Sequence, residues 1–129
     1  MINYGFTKEL DFPFENVIEM VTARLADEGF GILTKIDVRE KFREKLGIEF
    51  AKYVILGACN PANAHKAILA EPDIGLMLPC NVIVYEKDNK TIISAVKPTV
   101  AMQMVDNKDL QKIATEVEAE LNKVISSLG

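Results

Sequence analysis

The sequence predicts an α+β fold: a two-layer sandwich with a mostly antiparallel sheet and two long helices on one of its faces. Three observations carry this. Phe14, Val17, Ile18, Val21 and Leu25 fall on one helical stripe, and so do Leu110, Ile113, Ala114, Val117, Leu121, Val124, Ile125 and Leu128. Between the two stripes lie four apolar runs rich in β-branched residues. The last two runs flank Lys87-Asp88-Asn89-Lys90, a hairpin turn that fixes one antiparallel pair. Each helix has a single apolar stripe, so both are expected on the same side of the sheet.

The elements follow in order. Ile2 to Leu10 is short and weakly β. Asp11-Phe12-Pro13 reads as a helix start, with Asp11 as N-cap, and the helix runs from Phe14 to Glu28 before Gly29 in a left-handed cap position. Phe30 to Val38 is a strand on which Phe30, Ile32, Thr34 and Ile36 would share a face. Arg39 to Leu46 is a charged short helix stopped by Gly47, and its Arg and Lys residues are offset by Glu40 and Glu44. Tyr53 to Cys59 is a continuous apolar strand, halted by Asn60 as N-cap and Pro61 as first residue of a short helix to Leu69. Leu76 to Glu86 reads as a long strand interrupted by Pro79, which implies an edge position or a bulge. Thr91 to Val96 returns beside it. Val100, Met102, Met104 and Val105 form an apolar linker or a helical turn, and Asp106-Asn107 caps the final helix, Leu110 to Leu128. The methionines Met77, Met102 and Met104 read as core or interface filler.

The composition bounds the rest. With 129 residues, 49% hydrophobic and 26% charged, the chain is long enough for one core and short for two, so residues 1–129 are read as one domain. Disorder is excluded by the apolar content. No apolar run approaches the roughly 18–20 residues of a membrane span. The N-terminus lacks the layout of a signal peptide, and two Cys make no disulfide framework, so a reducing cytoplasm is expected. A net charge of −4 without a basic face argues against nucleic acid. The strands Tyr53–Cys59 and Leu76–Tyr85 are apolar at successive positions, more than two helices on one face can cover, so a homodimer across the other face is expected.

Two Cys-Asn dipeptides carry what chemistry there is: Cys59-Asn60, followed by Pro61, and Cys80-Asn81, preceded by Pro79. The single histidine, His65, lies six residues after Cys59. Cys59 stands where a strand gives way to a helix, a setting that favours a thiolate. Cys80 alternates with Leu78 and Val82 and reads as core. Asn60 is explained by capping alone. Two function classes follow. One is a small-ligand-binding or interaction module with a pocket around Cys59, Asn60, His65, Cys80 and Asn81. The other is a thiol- or metal-dependent enzyme or metal-binding protein that uses Cys59, His65 and Cys80; zinc and copper(I) accept such ligands. Binding is favoured, because one His and no paired acid and base are available. No phosphate loop, zinc-protease or nucleophile-elbow motif occurs, and no cofactor is expected.

Gly29-Phe30-Gly31-Ile32 with Asp37, Leu56-Gly57-Ala58-Cys59-Asn60-Pro61 with Ala64-His65, and Leu76-Met77-Leu78-Pro79-Cys80-Asn81-Val82 resemble, in that order and over nearly the whole chain, the "domain of unknown function 302" family. The Cys-Asn-Pro and Leu-Pro-Cys elements are its most specific marks. The resemblance implies a two-layer domain with a TATA-binding-protein-like β-α-β4-α arrangement, dimeric, and no activity.

Overall fold

A computed structural model describes residues 2–129. Its elements are β1 (Gly5–Leu10), α1 (Phe14–Asp27), β2 (Gly31–Asp37), α2 (Val38–Leu46), β3 (Tyr53–Cys59), α3 (Pro61–Ala70), a 3₁₀ turn (Pro72–Met77), β4 (Cys80–Lys87), β5 (Lys90–Val96), α4 (Pro98–Ala101) and α5 (Lys108–Ser126). The five strands form one antiparallel sheet in the order β1-β5-β4-β3-β2. The fold is α+β. Asp88 and Asn89 both have positive φ, 51° and 63°, as a two-residue hairpin between β4 and β5 requires.

Strand alternation sorts the sheet into two unlike faces. Leu56 and Ala58 of β3, Val82 and Val84 of β4, and Ile93 and Ala95 of β5 are buried in one cluster with Val17, Val21 and Leu25 of α1 and Leu121, Val124 and Leu128 of α5. The two long helices therefore share a face, as their single stripes predict. The opposite face presents Ile55, Ile83, Ile92 and Val96, half-buried, beside Tyr53 and Tyr85. These two tyrosines are register partners, and their rings stack at 5.2 Å between centroids.

A second cluster joins Ala67 of α3, Ile74 of the 3₁₀ turn, Met102 after α4, and Leu110 and Ala114 of α5. Asn107 ties this corner together. Its side chain caps α5 by accepting the Leu110 N–H (3.0 Å) and donates to the Ala70 carbonyl (2.8 Å) at the end of α3. By contrast, residues 31–50, which cover β2, α2 and the loop after it, contain no buried residue.

Several local expectations are corrected. The fourth strand begins at Cys80 and not at Leu76, because Pro72 and Asp73 start a 3₁₀ turn and Pro79 has no N–H to give a ladder. β4 is central rather than an edge strand, and Pro79 stands just before it, preceded by a cis peptide bond. On β2, Ile32 pairs with Ala58 and Thr34 with Gly57, so Leu33 is an extra, unpaired residue. This bulge turns Ile32 to the helix face while Thr34 and Ile36 lie on the open face. Asp11 does not cap α1. Pro13 is the N-cap residue without a side-chain bond, and Asp11 pairs with Lys90 across the hairpin end of the sheet. Of the methionines, Met102 is buried and Met104 exposed.

Candidate functional site

The site lies at one end of the sheet, where β3 runs out and β4 begins. Asn60 has extended backbone and its Oδ1 accepts the Asn63 N–H at 3.2 Å, while Pro61 supplies the first turn of α3. Cys59 is therefore the last strand residue before a capped helix, as the sequence predicts. Ala58 and Cys80 are register partners, so Cys59 is offset from Cys80 by one position and strand alternation turns the two side chains to opposite faces of the sheet.

A cavity of about 40 Å³ opens at this junction, with Cys59, Asn60, Asn63, Pro79 and Cys80 around it. Apolar side chains of α3, α5 and the segment after β5 close it, Met102 among them. A cavity of this volume holds about three water-sized groups. Its walls are almost wholly apolar.

Both thiols are held neutral. Burial pushes the Cys80 thiol up to about 11, and the neighbouring Cys59 adds to the rise. Burial also raises the Cys59 thiol, which corrects the expectation of a depressed value at the helix entrance. The reason lies in the cap itself. The Asn60 side chain already takes the Asn63 N–H, the Asn60 carbonyl takes the Ala64 N–H, and Pro61 has none, so few free donors remain to favour an anion. Desolvation then decides the sign.

Of the five residues singled out from the sequence, Cys59, Asn60 and Cys80 line this cavity. His65 is exposed on α3 and is not part of the lining. Asn81 points to the other side of the sheet, where it borders a groove with Tyr4, Tyr53 and Ile83. Among the described residues, no three His, Cys, Asp or Glu side chains are grouped as a metal site. Asn63 and Met102 were not anticipated. Asn63 is signalled by its place three residues after Asn60, one helical turn along the same side. Met102 had no local signal, because only the packing of the segment after α4 against α5 brings it here.

No helix among the described residues is long and apolar enough to cross a membrane. The family model of "Domain of unknown function DUF302" matches residues 6–128. A solved structure, the crystal structure of an uncharacterized conserved DUF302 protein from Bacillus stearothermophilus, superposes with a TM-score of 0.89 at 32% identity, covering 95% of this chain and 96% of that one. No curated protein matches the chain.

Proposed function

The chain belongs to the DUF302 family, and from that premise we propose that it is a small-ligand-binding module whose site is the cavity between the end of β3 and the start of β4. One observation carries the reading: the Cys-Asn-Pro and Pro-Cys elements, some twenty residues apart in sequence, border one cavity. The volume limits the occupant to a few heavy atoms, far below the roughly 300–1,000 Å³ of an ordinary organic-ligand pocket. The walls favour an apolar or soft occupant over a hydrated ion. Catalysis by a Cys59–His65 pair has less support, since His65 is exposed and outside the lining.

The protein acts as a homodimer in this reading, and residues 1–129 form one domain. Support for the dimer comes from the open sheet face, where half-buried Ile55, Ile83, Ile92 and Val96 lie beside the Tyr53–Tyr85 stack.

The test uses amide NMR spectra of the folded protein with xenon and dimethyl sulfide as probes. Shifts centred on Cys59, Asn63, Cys80 and Met102, and lost in Ala114→Val, which fills the cavity wall, are expected. Shifts confined to the open sheet face, or none at all, overturn the reading.

A further inference from the structure

We propose that a cleft at the opposite end of the sheet from Cys59 binds a small organic monocarboxylate, whose carboxylate is taken by Arg39. The cleft, of about 350 Å³, lies where β2 passes into α2 and β3 begins. That volume is at the lower end of the roughly 300–1,000 Å³ of organic-ligand pockets. Its lining holds three cations, Arg39, Arg43 and Lys52, and three carboxylates. What it can bind depends on which of these charges are already committed.

The three carboxylates are committed, and so are two of the cations. Lys52 Nζ donates to Glu15 Oε1 at 2.6 Å. Arg43 stands 3.6 Å from Glu40 and 3.4 Å from Glu49. Asp37 Oδ1 accepts the Glu40 N–H at 3.0 Å and caps α2. Arg39, by contrast, forms no ion pair among the described residues. Its Nε is buried and has no hydrogen-bond partner among them. A buried donor on a charged group is costly to leave unpaired, so an acceptor belongs beside it. Lys52 is a near neighbour: the Glu15 hydrogen bond raises its ammonium above the ordinary value, and the Arg39 charge works against that rise.

The occupant follows from this inventory. A guanidinium offers Nε–H and an Nη–H side by side, at the spacing of the two oxygens of a carboxylate. One uncommitted cation matches one negative charge. The carboxylates of Glu15, Asp37 and Glu40 repel a second, which disfavours a dianionic phosphate. Phe14 and Tyr53 supply the apolar part of the lining, so a ring or short chain behind the carboxylate is accommodated. Residues 31–50 contain no buried residue, so replacing Arg39 leaves the core untouched.

The experiment titrates the full chain with benzoate and follows arginine Nε–H and backbone amide signals by NMR. The Arg39 Nε–H and the amides of Arg39, Lys52 and Tyr53 are expected to shift and to saturate in the millimolar range. Benzyl alcohol, the uncharged analogue, should leave them in place, and inorganic phosphate should displace benzoate only at higher concentration. Arg39→Gln should lower benzoate affinity about 10-fold or more, the scale of a lost charge-assisted pair. Arg39→Lys, which keeps the charge and loses the paired donors, should fall between. Arg24→Gln makes the same charge change at the exposed Arg24–Asp27 pair of α1 and should leave affinity unchanged. Circular dichroism establishes that each variant is folded. Absence of saturable shifts, an equal response to benzyl alcohol, unchanged affinity in Arg39→Gln, an equal loss in Arg24→Gln, or displacement by phosphate at lower concentration overturns the proposal. The cavity at the other end of the sheet takes no part in these readouts, so the two sites stand or fall separately.

Discussion

Thr34 occupies the space that a side chain on Gly57 would need: a Cβ there would lie 2.2 Å from Thr34 Oγ1 and 2.7 Å from Pro79 Cγ. The two residues are register partners in the β2–β3 ladder. Glycine at 57 thus lets Thr34 from one side and Pro79 from the other close over the strand just before it reaches Cys59. Gly57→Ala is expected to destabilise the protein by about 1–3 kcal/mol, the usual range for overpacking. Urea unfolding measures it, and Thr34→Ala in the same chain should return part of the loss.

The two thiols should differ in reactivity. Cys59 is half-buried and Cys80 buried, with its thiol pushed up to about 11. Competitive alkylation of the native protein at neutral pH, read by mass spectrometry, should label Cys59 first. Equal labelling, or faster labelling of Cys80, would contradict the packing described for β4.

Asn107→Ala removes a cap and a link between helices at once. The side chain serves the start of α5 and the end of α3. The expected loss is about 1–2 kcal/mol, at the upper end for a cap. Differential scanning calorimetry measures it, and Asn60→Ala, which removes a cap alone, should cost less.

Light scattering tests the dimer. Ile83→Glu places a charge in the middle of the open sheet face without touching the helix face. The measured mass is expected to fall from twice that of the chain to once. A wild type that is already monomeric at micromolar concentration refutes the interface.

Glu120 lies on α5 with Oε2 buried and without a hydrogen-bond partner. Burial raises its carboxyl above the usual value, and Glu28 and Glu116 add to the rise. A raised carboxyl binds its proton more tightly in the folded state than in the unfolded one. Its contribution to stability is therefore present below the unfolded value of about 4.5 and lost as pH climbs through the higher folded value. Glu120→Gln is expected to stabilise the protein at pH 7 by about 0.5 kcal/mol, the scale of a surface substitution. The gain should shrink towards pH 4. Thermal melts at the two pH values decide it.

The elements whose signals are local were legible in the sequence. The stripes of α1 and α5, the Asn60-Pro61 entrance to α3 and the Asp88-Asn89 turn are each set by residues within a few positions of one another. Signals that depend on a partner strand were not. The bulge at Leu33 exists only against β3, and the start of β4 at Cys80 reflects Pro79 entering a central position. At the candidate site, Cys59, Asn60 and Cys80 were visible because strand and cap are local, and they border one cavity. His65 was misjudged by nearness in sequence, since its place on α3 leaves it in solvent. Asn81 was misjudged by its neighbour, because adjacent strand residues face opposite ways. Met102, more than twenty residues from Cys80, is joined to it only through the packing of α4 and α5.

The bulge on β2 also bears on how this protein behaves when crowded. β2 is the last strand of the sheet, with Leu33 and Ile36 exposed along it. Such a border is an invitation to a neighbouring strand, since its outward N–H and C=O groups stand unpaired. An extra residue at Leu33 breaks the even spacing of those groups halfway along. An incoming straight strand matches one half and falls out of step with the other. Sideways growth of sheet upon sheet, the route to insoluble ribbons, is interrupted at its first step, and a variant lacking Leu33 should be the one that precipitates.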